Sequence, residues 1–497
     1  LAYIAASAEK AGYRIQVVDA IGEAIHQYGR VDGKPNAMHY GLSFAEIVNK
    51  IDPGTHVIGL SILFSREWLL CRALALAIRE RFPAALIVAG GEHITACAEY
   101  SLADCGAIDV AVLGEGEATF VDILRVVEAA LPITGVPGVV CRDGASLIRT
   151  GARPRIRNID SLPDPAWHLF PLEEYIENNF SIGIDLGRSS PLLASRGCPF
   201  QCTFCSNPTM WTPTWTARCP SLVVAEMKRQ IERYRVTNFD FYDLTAIVKK
   251  AWIIEFCQLL IAEKLNVTWQ LPSGTRSEAL DEETLGWLYR AGCRSVIYAP
   301  ESGSAPELAR IKKKVIIPRM LASMKQANLL GIRMKANIIF GMPGSTWGDV
   351  FRTYIFLLRM AWVGVHHVGC FSFSPYPGSE MFRGLLARRR IQLNDDYFIG
   401  LNSFSNFLRT ESFHEKFSGF QIGLMNFMGM SIFYGSSFVF RPSRMAGVLR
   451  SLMAREISSP LARSISNLKR RKLAYRLLEE SEQGVIQLPV REKAGSR

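Results

Sequence analysis

Leu192-Leu-Ala-Ser195-Arg196-Gly-Cys198-Pro-Phe-Gln-Cys202-Thr-Phe204-Cys205 is the stretch on which the fold turns. Its first four residues form a short apolar run, the pattern of a strand, and three cysteines follow with the spacing C-x3-C-x2-C. Three thiolates on one short loop can cap three irons of a cubane cluster and leave the fourth iron without a protein ligand. An open metal position is what separates a catalytic site from a closed structural one. A zinc site wants a fourth ligand nearby, and Cys219 is the nearest thiol, 14 residues beyond Cys205. Core filling does not account for three thiols crowded at a strand end.

Outward from this loop, strand-like and helix-like stretches alternate over about 188–378. Strands are predicted at Leu192–Ser195, Asn238–Tyr242, Thr268–Leu271, Ser295–Tyr298, Lys335–Phe340 and Val368–Ser374. Helices are predicted between them at Ser221–Tyr234, Ala251–Glu263, Asp281–Ala291, Arg319–Leu330 and Thr346–Met360. Six such units spell a partial (βα)₆ barrel, with chemistry expected at the C-terminal strand ends. The N-terminal part alternates in the same way, with strands at Arg14–Val18, His56–Ser61, Ala85–Ala89 and Asp109–Leu113 and helices such as Arg66–Arg81 and Thr95–Asp104. That pattern predicts a doubly wound, Rossmann-like parallel sheet. Its strand ends read Ser61, then Gly90-Gly91-Glu92, then Gly114-Glu115-Gly116-Glu117, where glycine lets a large ligand approach the backbone, though ordinary tight turns read the same way. The chain opens at Leu1 in a helix rather than a strand, so a first strand is expected to lie upstream. A hairpin turning at Asp143-Gly144 and a proline-rich connector complete this half. The expected division is 1–150 for the sheet domain, 151–185 for the linker, 186–395 for the barrel and 396–497 for a helical C-terminal region.

Composition narrows the class. The chain has 497 residues, 48% hydrophobic and 21% charged, the proportions of globular domains rather than of disordered or fibrous chains. The net charge is +11, but Arg441–Arg497 holds 13 basic and 5 acidic residues, so most of the excess is C-terminal and nucleic acid is not an expected partner. The 11 cysteines, an odd number without a secretory signal, point to a reducing, cytoplasmic setting. Phe420–Phe440 carries no charged side chain, yet Gln421, Asn426, Ser431, Ser436, Ser437 and its glycines favour a buried or interfacial helix over a membrane span. Phe420, Leu424, Phe427, Met428, Ile432 and Phe433 are expected to pave a lid or pocket on the substrate side, or to pack in a core. Lys469-Arg-Arg-Lys472 offers a peripheral contact with an anionic membrane or a solvated helix face.

The cysteine loop resembles the signature of the radical S-adenosylmethionine (SAM) superfamily, with Phe204 at its aromatic position. Phe241-Tyr-Asp243, Arg276, Glu301-Ser-Gly303-Ser, Ile338-Ile-Phe-Gly341-Met-Pro-Gly344 and Pro375-Tyr-Pro377-Gly378 resemble the successive strand ends of that barrel. The glycine loops and the connector Asp160-Ser-Leu-Pro-Asp-Pro-Ala-Trp-His-Leu-Phe170 resemble members with an N-terminal cobalamin domain, so the likeness covers nearly the whole chain. It implies that Cys198, Cys202 and Cys205 hold a [4Fe–4S] cluster whose open iron chelates SAM. One electron then releases a 5′-deoxyadenosyl radical that takes hydrogen from an unactivated carbon. Phe204, Asp243, Arg276, Glu301, Gly341 and Gly344 are the implied SAM-side residues; Ser61, Gly90, Gly91, Glu92, Gly114, Glu115 and Gly116 are the implied cobalamin-side ones. Methyl transfer is the implied outcome, with oxidative ring closure or rearrangement, as in the anaerobic cyclase of chlorophyll synthesis, as the second. A non-catalytic zinc or Fe–S module is the rival from another class, and it leaves the strand-end motifs without a purpose. The implied partners are a small, apolar substrate and a flavodoxin- or ferredoxin-like electron donor. Ala24-Ile-His26-Gln-Tyr-Gly29 resembles a cobalt-ligating Asp-x-His-x-x-Gly motif, but Ala replaces the Asp that orients the imidazole, so no ligation by His26 is expected.

Overall fold

In the computed structural model, which describes all residues except 32–33, 276–278, 406–409, 454–459, 482–483 and 489–497, six parallel strands form one sheet. They are Ser189–Leu192, Asn238–Phe241, Thr268–Thr275, Cys293–Glu301, Arg333–Phe340 and His367–Ser372, lying side by side in chain order. Each connection runs through at least one helix, as parallel neighbours require. The strands are apolar on their inner positions, and Phe239, Phe241, Trp269 and Tyr298 are buried in the core they share with the crossover helices. Local chemistry sets the helix ends. Asp281 caps Glu282–Arg290, and Thr346 and Asp349 form a capping box that starts Trp347–Val363. Gly364 ends that helix in the left-handed conformation.

The first barrel strand lies earlier than the apolar run Leu192–Ser195 predicts. Asp243, at the end of the second strand, accepts bonds from Ala194 N (3.1 Å) and Ser195 Oγ (2.5 Å). Ser195–Arg196 leaves the parallel ladder and pairs antiparallel with Thr216–Ala217. The cysteines thus leave the sheet through a turn held by a side chain from the neighbouring strand.

The N-terminal sheet has the order Val57–Ser61, Leu86–Gly90, Val110–Val112, Val139–Asp143, Ser146–Arg149. Its first two pairings are parallel and its last two antiparallel, so the hairpin at Asp143-Gly144 extends the parallel part rather than standing apart. Arg14–Val18 is not a strand. No described segment forms a ladder with it; Arg14 pairs with Asp52, Ile15 and Val17 pack beside Ala5 and Ala6 of the helix Ala2–Lys10, and the Gln16 side chain bonds the backbone at Lys50 and Asp52. A ladder needs a neighbour, whatever the propensity of the segment. The C-terminal region is not helical throughout: after helices Gly419–Phe440, Pro442–Met453 and Pro460–Glu480, Val485–Gln487 pairs antiparallel with Gln27–Gly29 near the start of the chain.

Candidate active site

The cysteine loop sits on the C-terminal edge of the six-stranded sheet. Thr203 N bonds the Ile311 carbonyl (3.1 Å), after the fourth strand, and Met381 N bonds the Thr203 carbonyl (2.9 Å), after the sixth. Asn207 Nδ2 donates to the Cys198 carbonyl (3.2 Å). These bonds anchor the backbone between the cysteines to loops far along the chain. Cys202 is buried, and Cys198 and Cys205 are half-buried. Burial pushes the Cys205 thiol up to about 12, and Cys202, Glu92 and Cys198 act in the same direction.

Cys219 does not join them. Its exposed Sγ lies 3.2 Å from Ser221 Oγ, and its N–H is held by both carboxylate oxygens of Asp160 in the connector. Among the described residues no group of three or more His, Cys, Asp or Glu side chains, the three loop cysteines included, is gathered closely enough to hold a metal ion. Three thiols without a fourth donor fit a cubane with an open iron better than a closed zinc centre.

The N-terminal domain reaches this loop from both sides. On one, Arg196 is buried between Glu115 (3.0 Å) and Glu117 (2.6 Å) of the Gly114–Glu117 turn. Arg155 adds a second cation 3.5 Å from Glu115, and the rings of Tyr3 and Trp211 stand 5.1 and 5.8 Å from the Arg196 guanidinium. On the other, Ser206, next to Cys205, donates to Glu92. Burial holds the Glu92 carboxyl above the usual range, with the Ser206 hydroxyl pulling it down. The cysteine loop is therefore bracketed by carboxylates from the two glycine loops of the other domain. Gly378, after the sixth strand, completes the seam, for its carbonyl accepts from Thr209 Oγ1 (2.6 Å) and it lies against Ala96.

The glycine loops divide on closer view. A Cβ at Gly90 would find its nearest neighbour, Val112 Cβ, 3.7 Å away, and one at Gly114 would find only the Met210 carbonyl, at 3.9 Å. Neither position is crowded, and the exposed Ser61 lies beside Gly90 in the ladder. Gly91 has φ +114°, and a Cβ there would fall 2.5 Å from the Ile62 carbonyl, so its role is the turn itself. Gly116 faces Ile4 of the first helix and serves helix packing. Glu115, expected on the corrin side, spends both oxygens on Arg196, Arg155 and Ile156 N. His26 lies elsewhere, its Nε2 2.9 Å from Asn178 Oδ1 in the connector.

Residues 1–124 match the family described as B12 binding domain, and residues 192–357 match the radical SAM superfamily. The chain is a cobalamin-binding radical SAM enzyme. It is 28% identical to cytidylyl-2-hydroxyethylphosphonate methyltransferase of Streptomyces wedmorensis, over 77% of this chain and 76% of that one. It is also 28% identical to the anaerobic magnesium-protoporphyrin IX monomethyl ester cyclase of Cereibacter sphaeroides, over 78% of this chain but 60% of the cyclase. The structure of the radical SAM methyltransferase TsrM from Kitasatospora setae with cobalamin and [4Fe–4S] cluster bound overlays with a TM-score of 0.61 at 17% identity, covering 78% of this chain and 74% of TsrM, a likeness of fold. The cofactors of this radical SAM enzyme are a [4Fe–4S] cluster, SAM and cobalamin.

The other strand-end residues have partners inside the protein. Asp243 is fully buried, pushed up to about 6 by burial, and holds the turn into the cysteine loop. Glu301 ends the fourth strand at φ +67°, a left-handed conformation costly for a side chain of this kind, and pairs with buried Lys313 at 3.0 Å. The Lys313 ammonium is 5.9 Å from the Phe204 ring centroid, so the fourth strand reaches the cysteine loop through that side chain. Arg276 lies outside the described residues. Gly341 has φ +80°, and Ile422 of the helix Gly419–Phe440 sits where its Cβ would be, 2.6 Å away. Gly344 N donates to Glu415 (3.1 Å). His414 accepts from Lys416 N and Phe417 N at Nδ1, which leaves Nε2 to donate to the Ser345 carbonyl (3.0 Å). The C-terminal segment thus covers the loop after the fifth strand. Phe433 packs in the core, but Phe420, Leu424, Phe427 and Met428 are exposed and form neither lid nor core. Arg196, Ser206, Lys313 and His414 are the site residues that sequence reading missed; only Arg196, a charge flush against the cysteines at a strand end, carried a local signal.

Proposed function

We propose that this enzyme transfers a methyl group to an unactivated carbon of a small, apolar substrate. The carrying observation is the bracketing of the cysteine loop by Glu115 and Glu117 on one side and Glu92 on the other. It brings the uncrowded backbones of Gly90 and Gly114 toward the loop that would hold the cluster. When bound, the cluster with SAM supplies a carbon-centred radical and cobalamin supplies the methyl group. The chain's own part is placement. Cys198, Cys202 and Cys205 would hold three irons. Asp243 fixes the turn that aims them, and Arg196 ties that turn to the cobalamin side. Lys313 braces Phe204, and Ile422 and His414 cover Gly341 and Ser345 in the loop where SAM's adenosine would lie, while Gly344 stays exposed. The reducing electron would come from a flavodoxin- or ferredoxin-like donor, in a cytoplasmic setting.

Likeness to the cyclase supports ring closure as the second reading. Anaerobic turnover with methyl-labelled SAM against lipids and tetrapyrroles separates the two. Methyl transfer consumes a second SAM, so S-adenosylhomocysteine and 5′-deoxyadenosine should form in comparable amounts. Deoxyadenosine without adenosylhomocysteine, while product forms, would establish ring closure or rearrangement instead.

A further inference from the structure

The helices Trp347–Val363 and Gly419–Phe440 pack against each other on the outside of the barrel. Their inner faces are conventional: Phe356, Leu357 and Met360 of the first and Ile422, Met425 and Phe433 of the second are buried. Asn426 of the second bonds Ser372 on the sixth strand. Their outer faces are apolar as well. Trp347, Phe351, Leu358 and Trp362 recur at one angular position of the first helix, and they are 58%, 65%, 41% and 67% exposed. Phe420, Phe427 and Val439 share the outer side of the second, at 77%, 58% and 76%. An open groove of about 580 Å³ runs between the two helices, walled by Ile355 and Leu358 on one side and Ile432 and Val439 on the other. Scattered exposed side chains need no explanation, but a continuous apolar face on two adjacent helices does.

Charge points to the occupant. The helix Trp347–Val363 contains one acidic residue, Asp349, which is buried and paired with Arg310 at 2.6 Å and more loosely with Arg352 at 3.5 Å, and Gly419–Phe440 contains none. The exposed charges beside the apolar face are Arg352 and Arg359; Arg441 and Arg444, at the end where Trp362 meets Phe440, are half-buried and donate to the carbonyls of Ala361, Trp362, Gly364 and Val365. The two helices present exposed arginines and no exposed acid, the exposed Glu415 lying beyond the Trp347 end, and such a face complements an anionic lipid surface: the side chains enter the acyl boundary while Arg352 and Arg359 stay among headgroup phosphates. Nor does Gly419–Phe440 need to cross the bilayer, because its inner face, including the Asn426–Ser372 bond, is seated on the barrel.

We propose that this two-helix face is a monotopic docking surface for anionic membranes. The Trp347 end lies next to the Gly341–Gly344 loop, with Trp347 and Phe417 4.9 Å apart, so docking would bring the lipid boundary close to the mouth of the barrel.

The test is flotation of the full-length, reconstituted protein with vesicles of phosphatidylcholine containing phosphatidylglycerol, and with phosphatidylcholine alone. The protein should float with the anionic vesicles, less at high salt and less with the neutral ones. Phe351→Ser and Phe427→Ser remove exposed side chains, so the fold should survive. Each should weaken partitioning roughly tenfold. Arg352→Gln with Arg359→Gln should weaken the preference for anionic lipid, and an unchanged preference would overturn the reading of charge. Failure of the parent to float at low salt would overturn the proposal. So would a dimer in light scattering that the same Phe substitutions dissociate without changing flotation, since the face would then belong to a second copy. None of these readouts depends on turnover, so the proposal stands or falls separately from methyl transfer.

Discussion

Replacing Arg196 with Met keeps roughly the side-chain volume and removes the cation that two buried carboxylates share. The side chains of Arg196, Glu115 and Glu117 are 4%, 5% and 7% exposed. Breaking a buried pair by removing one partner costs about 3–5 kcal/mol, chiefly because the remaining charge is stranded. The two glutamates are not equally stranded. Glu115 keeps Arg155 at 3.5 Å and Ile156 N at 2.8 Å. Glu117 gives Oε1 to Arg196, and its buried Oε2 has no partner. Most of the loss should therefore fall on Glu117, and Arg196→Met/Glu117→Gln should recover more stability than Arg196→Met/Glu115→Gln. With total stabilities of about 5–15 kcal/mol, the single variant should open this seam before the rest of the molecule. Native-state hydrogen exchange of the amides in 115–119 and 196–205 measures that opening locally, which matters in a chain of several domains. A loss below ~1 kcal/mol in Arg196→Met, the range of ordinary surface substitutions, would refute the reasoning. Equal rescue by the two glutamine variants would refute the assignment of the cost to Glu117.

Other consequences can be checked singly. Asp243 is held near 6 by burial, above an unfolded value of about 3.9, so its protonation favours the fold. That contribution is complete below about pH 4 and lost as pH rises through about 6; thermal melts of Asp243→Asn should lack this slope, and identical slopes would exclude it. Gly341→Ala should cost more than about 1 kcal/mol in thermal unfolding, because its φ is +80° and Ile422 fills the space; adding Ile422→Ala should relieve only the steric part. Anaerobic reconstitution should load about four irons on three thiolates. Iron and sulfide analysis should show their loss in Cys202→Ala but not in Cys219→Ala, whose thiol faces Ser221. Bound cobalamin should keep its absorption spectrum in His26→Ala, because His26 is engaged with Asn178; a shifted spectrum would make it a cobalt ligand.

Strands two to six of the barrel were legible because each is a run whose apolar character is its own, and their observed spans start within two residues of the predicted ones. The misreadings share a different cause. Arg14–Val18 has strand composition but no described ladder neighbour, and a ladder is a property of two segments. Leu192–Ser195 reads as a strand until Asp243, 48 residues beyond Ser195, draws its end off the sheet. Glu115 reads as a cofactor-facing acid until Arg196, 81 residues away, neutralises it.

The sequence by itself determined the candidate donor set, C-x3-C-x2-C, because thiols on one short loop are neighbours by covalent connection. It also determined the βα alternation, because apolar periodicity is local. Tertiary structure alone decided which charges are satisfied and which surfaces are covered. Glu92 meets Ser206. Lys313 links Glu301 to Phe204. One face of Gly419–Phe440 is seated on the barrel while its equally apolar opposite face is left outside. Burial and electrostatic pairing depend on what arrives from elsewhere in the chain, and composition on the helix does not encode which of two similar faces will find a partner.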